Sequence, residues 1–275
     1  MSAVTRLLEK GFPERDHAHW LRGLKRMAEH ATPPGFPKYG FLLECDGRAV
    51  GVILVIFSVM TTHGESAIRG NVASWYVEPA FRGYASMLTS HALARKNVTY
   101  LNISPARSTW PILDAQGYKR YCTGQFMALA ALHRGPAGAS ISAVATALAP
   151  GEDLSASERE LLSAHASYGC ISLVAAYERR RHPFVFMRCW HRWKIGRLPY
   201  ALLVYCRTLD EFIEFAGPLG RYLAWRGMPM VFIDSIGSVP RLIGRTIDMS
   251  PKFYKGPKAP HLGDVAYTEH VMFDL

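Results

Sequence analysis

The sequence predicts an α/β chain in which a mixed, mostly antiparallel sheet is flanked by helices and followed by a second half of the same coarse plan. Apolar residues at helical spacing alternate with β-branched and aromatic runs that stop at Gly, Pro or Asp, the punctuation of a chain switching between helix and strand. A stretch rich in Ala, Ser, Gly and Pro, His133–Ser157, interrupts this order. Beyond it helix, strands, helix and strand begin again, with no residue-level repeat linking the halves. A first domain is therefore expected over residues 1–134, a linker over 135–156 and a second domain over 157–275.

The first helix is expected from Glu14 to His30, where Trp20, Leu21, Leu24 and Met27 sit at helical spacing among charges. Three prolines and two glycines between Thr32 and Gly40 end it. Two strand-like runs joined at Asp46-Gly47 follow; that dipeptide reaches positive φ easily and suits a tight hairpin. The apolar run Ala49–Met60 reads as a buried strand pair and is too short for the roughly 20 residues of a membrane-spanning helix. After a polar loop over Thr62–Gly70, a strand runs from Asn71 to Pro79 and a helix from Gly83 to Lys96. A strand over Val98–Pro105, a short helix closed by Gly117 and a last extended stretch over Tyr118–Leu132 complete the first half.

The second half is expected to open with a helix near Ser157, where Ser157 and Glu160 have capping-box spacing. Strands are expected over Cys170–Glu178, Pro183–Trp193 and Leu198–Cys206. A helix capped by Thr208 and Glu211 and a strand over Met228–Ser235 then follow. The tail carries a basic, proline-broken loop, and alternation at Val265, Tyr267 and Glu269 suits one more strand.

Composition narrows the function. Hydrophobic residues make up 49% and charged residues 20%, which is enough apolar material for a sizeable core. The N-terminus lacks the apolar centre of a secretory signal, and five scattered cysteines form no C-x-x-C pair, so a reducing cytoplasm is expected. A formal charge of +10 implies an anionic partner, such as a phosphorylated cofactor, an acidic carrier protein, a membrane surface or nucleic acid. No metal is expected: Asp16, His17 and His19 would offer a ligand set, but on a helix an i, i+2 pair points in divergent directions and does not easily chelate. Basic and aromatic residues mix over Glu178–Arg197, but strand alternation with solvated arginines explains them, and nucleic acid is not the expected partner.

The junction Val77–Leu93, "VEPAFRGYASMLTSHAL", carries the chemistry. A glycine-containing turn at a helix start presents backbone N–H groups that no helical carbonyl uses, at the positive end of the aligned peptide dipoles. Gly83 lets the backbone approach a ligand, Ala85 keeps the second position small and Arg82 adds a charged donor, an arrangement suited to a pyrophosphate. Neither the nucleotide triphosphatase nor the dinucleotide glycine fingerprint is present.

A strand ending in V-x-P, an Arg-Gly turn with a small residue two positions on, a helix, a strand and a short helix closing in "AQGY" together resemble the GNAT superfamily of acyl-CoA-dependent acyltransferases. The family's turn reads [QR]-x-x-G-x-[GA]; Gly83 and Ala85 match it and Ala80 does not. The resemblance covers about residues 5–130 and implies a GNAT-like sheet, with a second, degenerate GNAT-like half in tandem that completes the acceptor site. It implies acetyl-CoA or another acyl-CoA as co-substrate, with its pyrophosphate held by Arg82, Gly83, Tyr84, Ala85 and Ser86 and its pantetheine arm along Trp75, Tyr76 and Val77. The implied reaction is direct attack by an amine of a small-molecule acceptor on the thioester, in a gap where the two central strands splay apart.

The chain also departs from the family. Where many relatives place a tyrosine that protonates the leaving thiolate stands Leu113; where an asparagine often opens that helix stands Ala106; where some carry a basic carboxylate stands Asn71. Tyr118, with Asn102 and Ser104 at the end of the second central strand, are the candidate catalytic or contact residues, and Tyr121, Ser108 or a water compete with Tyr118 for the acid's role. A GNAT-shaped binding or regulatory protein without turnover is the rival reading. An acyl carrier protein would also fit the surplus positive charge.

Overall fold

The computed structural model describes residues 2–62, 64–144, 153–193 and 196–274. The chain divides into two compact units: Met1–Lys119 with Phe253–Ala259 and Tyr267–Leu275, and Arg120–Lys252 with Pro260–Ala266. The first unit contains helices α1 (Ser2–Gly11) and α2 (His17–Glu29) and strands β1 (Gly40–Cys45), β2 (Arg48–Thr62) and β3 (Glu65–Val77). Helix α3 (Ala85–Ala92), strand β4 (Val98–Asn102) and helix α4 (Trp110–Ala115) follow, and the division falls inside β5 (Lys119–Cys122). The second unit contains β6 (Gly124–Ala128), β7 (Ser140–Ala143), α5 (Ala156–Ser167), β8 (Ile171–Tyr177), β9 (Arg180–Trp193), β10 (Gly196–Tyr205), α6 (Leu209–Trp225), β11 (Val231–Ser235) and β12 (Gly244–Ile247). The tail adds β13 (Lys252–Lys255) and helix α7 (Glu269–Phe273).

In the first unit, Asp46 and Gly47 both take positive φ, 50° and 74°, and close the β1–β2 hairpin as their residue types predict. The expected strand pair over Ala49–Met60 is instead one long strand, β2, which pairs antiparallel with β1 on one side and β3 on the other. Its run is continuously apolar because helices cover both faces of the sheet: α1 packs on β2 and β3, and α3 on β1 and β2. The polar stretch Thr62–Gly70 is not a loop, since β3 begins at Glu65 and its first residues pair back onto β2. The sheet order is β1-β2-β3-β4-β13-β5, with the β3–β4 pair parallel and the β1–β2, β2–β3 and β4–β13 pairs antiparallel.

Helix α1, absent from the expected order, buries Leu7 and Leu8. Asp16 caps α2 by accepting the His19 N–H at 2.7 Å. The buried face of α2 is Trp20, Gly23, Leu24 and Met27, while Leu21, expected inside, points outward. His30, just after α2, is buried, with Nε2 2.9 Å from the Phe57 carbonyl oxygen and 3.1 Å from Ser58 Oγ. Burial lowers its pKa from the usual 6.5. Because the native state resists protonation, its contribution is complete above pH 6.5 and is lost as the pH falls toward the lowered folded value. Melting temperature should therefore drop between pH 7 and pH 5, and the drop should be smaller in His30→Gln.

In the second unit the sheet order is β12-β6-β11-β10-β9-β8-β7. Strands β8, β9 and β10 pair antiparallel in sequence and β11 adds parallel to β10, so the order α5, three strands, α6, strand repeats that of α2, three strands, α3 and β4. The two units part at Lys119, earlier than the composition suggested, because β6 pairs with β11 and β12 instead of extending the first sheet. The expected linker contains β7, and its positions 145–152 lie outside the described residues. The capping box sits two residues before the expected one: Ser155 accepts the Glu158 N–H, and Glu158 accepts the Ser155 N–H. At α6, Thr208 caps as expected, but the Glu211 carboxylate turns to His182 and Arg207. No described helix is long and apolar enough to cross a membrane.

Candidate active site

Strands β3 and β4 run side by side only from Ile68↔Val98 to Asn71↔Leu101. Beyond that point β3 stays paired to β2 while β4 ends, so the two central strands separate as expected. A β-bulge explains the divergence. Val52 pairs with Tyr76 and Leu54 with Ala73, so Ser74 and Trp75 together oppose Ile53. Ser74 takes φ 47°, and an extra residue bends and twists the strand that carries it. No glycine marks the bulge, which is why the sequence did not disclose it.

The gap opens into a cavity of about 550 Å³. Phe12, Trp20, Trp75, Asn102, Leu113 and Tyr118 are among its walls, and all the described lining residues belong to the first unit. Trp20 and Trp75 each bury an indole N–H with no acceptor among the described residues, two donors available to a bound molecule. Tyr118 is buried, and desolvation raises its phenol far above the usual value, so it stays protonated and suits hydrogen-bond donation better than proton transfer.

Of the other predicted residues, Tyr76 and Val77 continue β3, paired to Val52 and Gly51. Glu78, next in the chain, accepts from Lys10 and Arg48, each at 2.8 Å, and these bonds, that of Lys10 foremost, lower its pKa. The α-helix does not open at Gly83: Pro79–Tyr84 forms a 3-10 turn, and α3 starts at Ala85. Two amides of this corner are used locally, Phe81 N–H to the Glu78 carbonyl and Ala85 N–H to the Arg82 carbonyl. The corner is nevertheless open. Arg82, Gly83, Tyr84 and Ser86 are exposed, and a Cβ on Gly83 would meet nothing within 4 Å.

The residue that sequence reasoning missed is Glu269. The expected tail strand does not form, because Tyr267 takes φ 53° and α7 begins at Glu269. Glu269 lines the cavity and is almost wholly buried, and its carboxylate accepts the Ser104 hydroxyl at 2.6 Å. Its backbone N–H donates to Asn71 Oδ1 at 2.7 Å. Asn71 thus docks the segment that carries Glu269. The sequence offered no local signal, since Glu269 stands among Thr268, His270 and a second acidic residue, Asp274.

The equivalent position in the second unit is closed by its own chain. Past the short β10–β11 ladder, which spans Ala201↔Val231 and Leu202↔Phe232, the Cys206 N–H donates to the Gly263 carbonyl at 2.9 Å and the Val265 N–H to the Val204 carbonyl at 2.8 Å. An added ligand strand would have to displace those bonds.

No family model matches the sequence, and no curated protein matches it. Solved structures do. A GCN5-related N-acetyltransferase from Anabaena variabilis ATCC 29413 aligns with TM-score 0.58 at 12% identity, over 91% of this chain and 69% of that one. A Pyrococcus horikoshii protein provisionally assigned as an acetyltransferase aligns with TM-score 0.56 at 11% identity, over 97% and 89%. An Enterococcus faecalis V583 protein provisionally assigned as an N-acyltransferase aligns with TM-score 0.54 at 13% identity, over 92% and 69%. The chain has the fold of the GCN5-related N-acetyltransferases.

Proposed function

We propose that the first unit is a coenzyme A-dependent acyltransferase that moves an acetyl or other acyl group to an amine of a small-molecule acceptor by direct attack. The observation that carries this reading is the separation of β3 from β4 at the Ser74 bulge, with a cavity of about 550 Å³ in the gap. Three features fit the pantetheine and pyrophosphate of the co-substrate: the β3 edge beyond Asn71, the unpartnered Trp75 indole N–H and the open corner at Gly83. Within the cavity Tyr118 would donate a hydrogen bond toward the departing sulfur, and Asn102 and Ser104 would line the acceptor's approach. The second unit, its own gap filled by Gly263–Val265, would take no acyl-CoA.

The test is thiol release from acetyl-CoA across a panel of primary amines, with coenzyme A binding measured separately by calorimetry. Binding together with amine-dependent release is expected. Gly83→Glu should weaken coenzyme A at least tenfold, about 1.4 kcal/mol, with an unchanged melting temperature, because the corner has room for the side chain and none for its charge beside a pyrophosphate. A second reading, a binding protein without turnover, draws support from Leu113 in place of the usual tyrosine and from the phenol of Tyr118 being so hard to ionise. Binding without release under any amine would favour it.

A further inference from the structure

We infer that Glu269 receives the acceptor's ammonium group and takes its proton, so that the acceptors of this site are amines that arrive as cations. The inference rests on the proposed acyl transfer. An amine is protonated near neutral pH and cannot attack a thioester until it loses a proton, so a site for amines needs a group that first attracts the cation and then accepts the proton. A buried carboxylate does both, and Glu269 places one in the cavity wall.

The surroundings fit this role. Ser104 donates to Oε1 at 2.6 Å and fixes the carboxylate's orientation, while Asn71 holds the backbone N–H of the same residue. Ser104 is therefore a positioning residue. Among the described residues, the other ionisable groups lining the cavity are Glu14 and Arg15 from the segment between α1 and α2, His270 from α7, and Tyr118. At the far end of α7, Arg26 of α2 donates to the Val271 and Met272 carbonyls and to Asp274, and His19 of α2 lies against Phe273. Phe12, Trp20, Trp75 and Ile112 offer apolar surface to the acceptor's body, and the Trp20 indole N–H, buried and unpartnered, offers it one donor.

The step balances as follows. One ammonium proton passes to the Glu269 carboxylate and from there to solvent. The freed nitrogen pair forms the C–N bond at the thioester carbonyl carbon and the C–S bond breaks, the electron pair leaving on sulfur. A second proton from nitrogen ends on that sulfur, giving an amide and a free thiol.

The experiment measures kcat/KM for acetyl transfer from acetyl-CoA to phenethylamine between pH 6 and pH 10 in the intact chain, Glu269→Gln and Ser104→Ala. Calorimetric coenzyme A binding and melting temperature are recorded for each. Glu269→Gln should lose roughly 100-fold at pH 7, and the deficit should shrink toward pH 10 as free amine accumulates, while coenzyme A affinity stays unchanged. Ser104→Ala should lose less and shift the acidic limb of the profile. Should Glu269→Gln fold poorly, Glu269→Asp keeps the charge, and an intermediate rate with the acidic limb retained is expected. Wild-type rates and an unaltered pH profile in Glu269→Gln, with coenzyme A bound, would overturn the inference while leaving the acyl-transfer reading intact. Failure of the unaltered protein to bind coenzyme A would sink that reading instead, and this inference with it.

Discussion

Replacing Lys252 by methionine should cost the second unit about 3–5 kcal/mol of stability, the usual consequence of leaving one member of a buried ion pair alone. Lys252 and Asp234 are both buried, with Nζ 2.6 Å from Oδ2. Gln125, the partner of Asp234 in the β6–β11 register, donates to its other carboxylate oxygen at 3.3 Å. Nothing else described replaces the ammonium: the nearby Cys122 thiol is turned to the Gly124 and Ser235 carbonyls. Burial, then the Asp234 charge, pushes that thiol up to about 11, so it stays neutral. Urea unfolding followed by near-ultraviolet circular dichroism checks the prediction, and the double variant Lys252→Met with Asp234→Leu discriminates its cause. If desolvation of a lone charge is responsible, the double variant recovers most of the loss, because an apolar pair of similar volume needs no counter-charge. A loss in Lys252→Met below about 1 kcal/mol would mean that water reaches Asp234 in the native state.

What the sequence disclosed divides by the range of the interaction that fixes each feature. The β1–β2 hairpin and the cap of α6 are settled within four residues, by Asp46-Gly47 and by Thr208 with Glu211, and both were legible. Much of the central element order was legible too, because apolar periodicity is local, but α1, β7, β12, β13 and α7 were not. The capping box of α5 was misplaced by two residues because Ser155 and Ser157 offer equivalent side chains, and only the folded chain selects Ser155. The site lies at the other extreme. The parting of the central strands depends on Ser74 taking a left-handed conformation that no glycine announces, and Ser104 meets Glu269 from 165 residues away. The alternation of Val265, Tyr267 and Glu269 suggested a strand, whereas main-chain bonds to Val204 and Cys206 hold Gly263–Val265 and a positive φ at Tyr267 turns the chain into α7. At the corner around Gly83 the missing side chain was readable in the sequence, and the 3-10 geometry was not.

That dependence of the site on a distant segment gives Gly23→Ala an expected sign opposite to its local one. In an isolated helix the change stabilises by about 1 kcal/mol. In α2, a Cβ at position 23 would lie 2.0 Å from a ring carbon of Phe273, so the helix approaches α7 too closely for any side chain. The Phe273 ring cannot give way cheaply, being buried against Trp20 at 5.6 Å and His19 at 5.9 Å between ring centres. The displaced part must then be α7 itself, whose first residue is Glu269. Gly23→Ala should therefore destabilise the first unit by about 1–3 kcal/mol in denaturant unfolding, as overpacking does. Acyl transfer should also fall while coenzyme A affinity is kept, because no residue of the Gly83 corner is among those the added methyl would touch. The compensating variant Phe273→Leu with Gly23→Ala should restore part of both losses, since a smaller side chain on α7 makes room for the methyl on α2. A Gly23→Ala protein more stable than the parent would show that α7 can withdraw from α2 without cost, and its acyl-transfer rate would then report whether Glu269 keeps its place when α7 shifts.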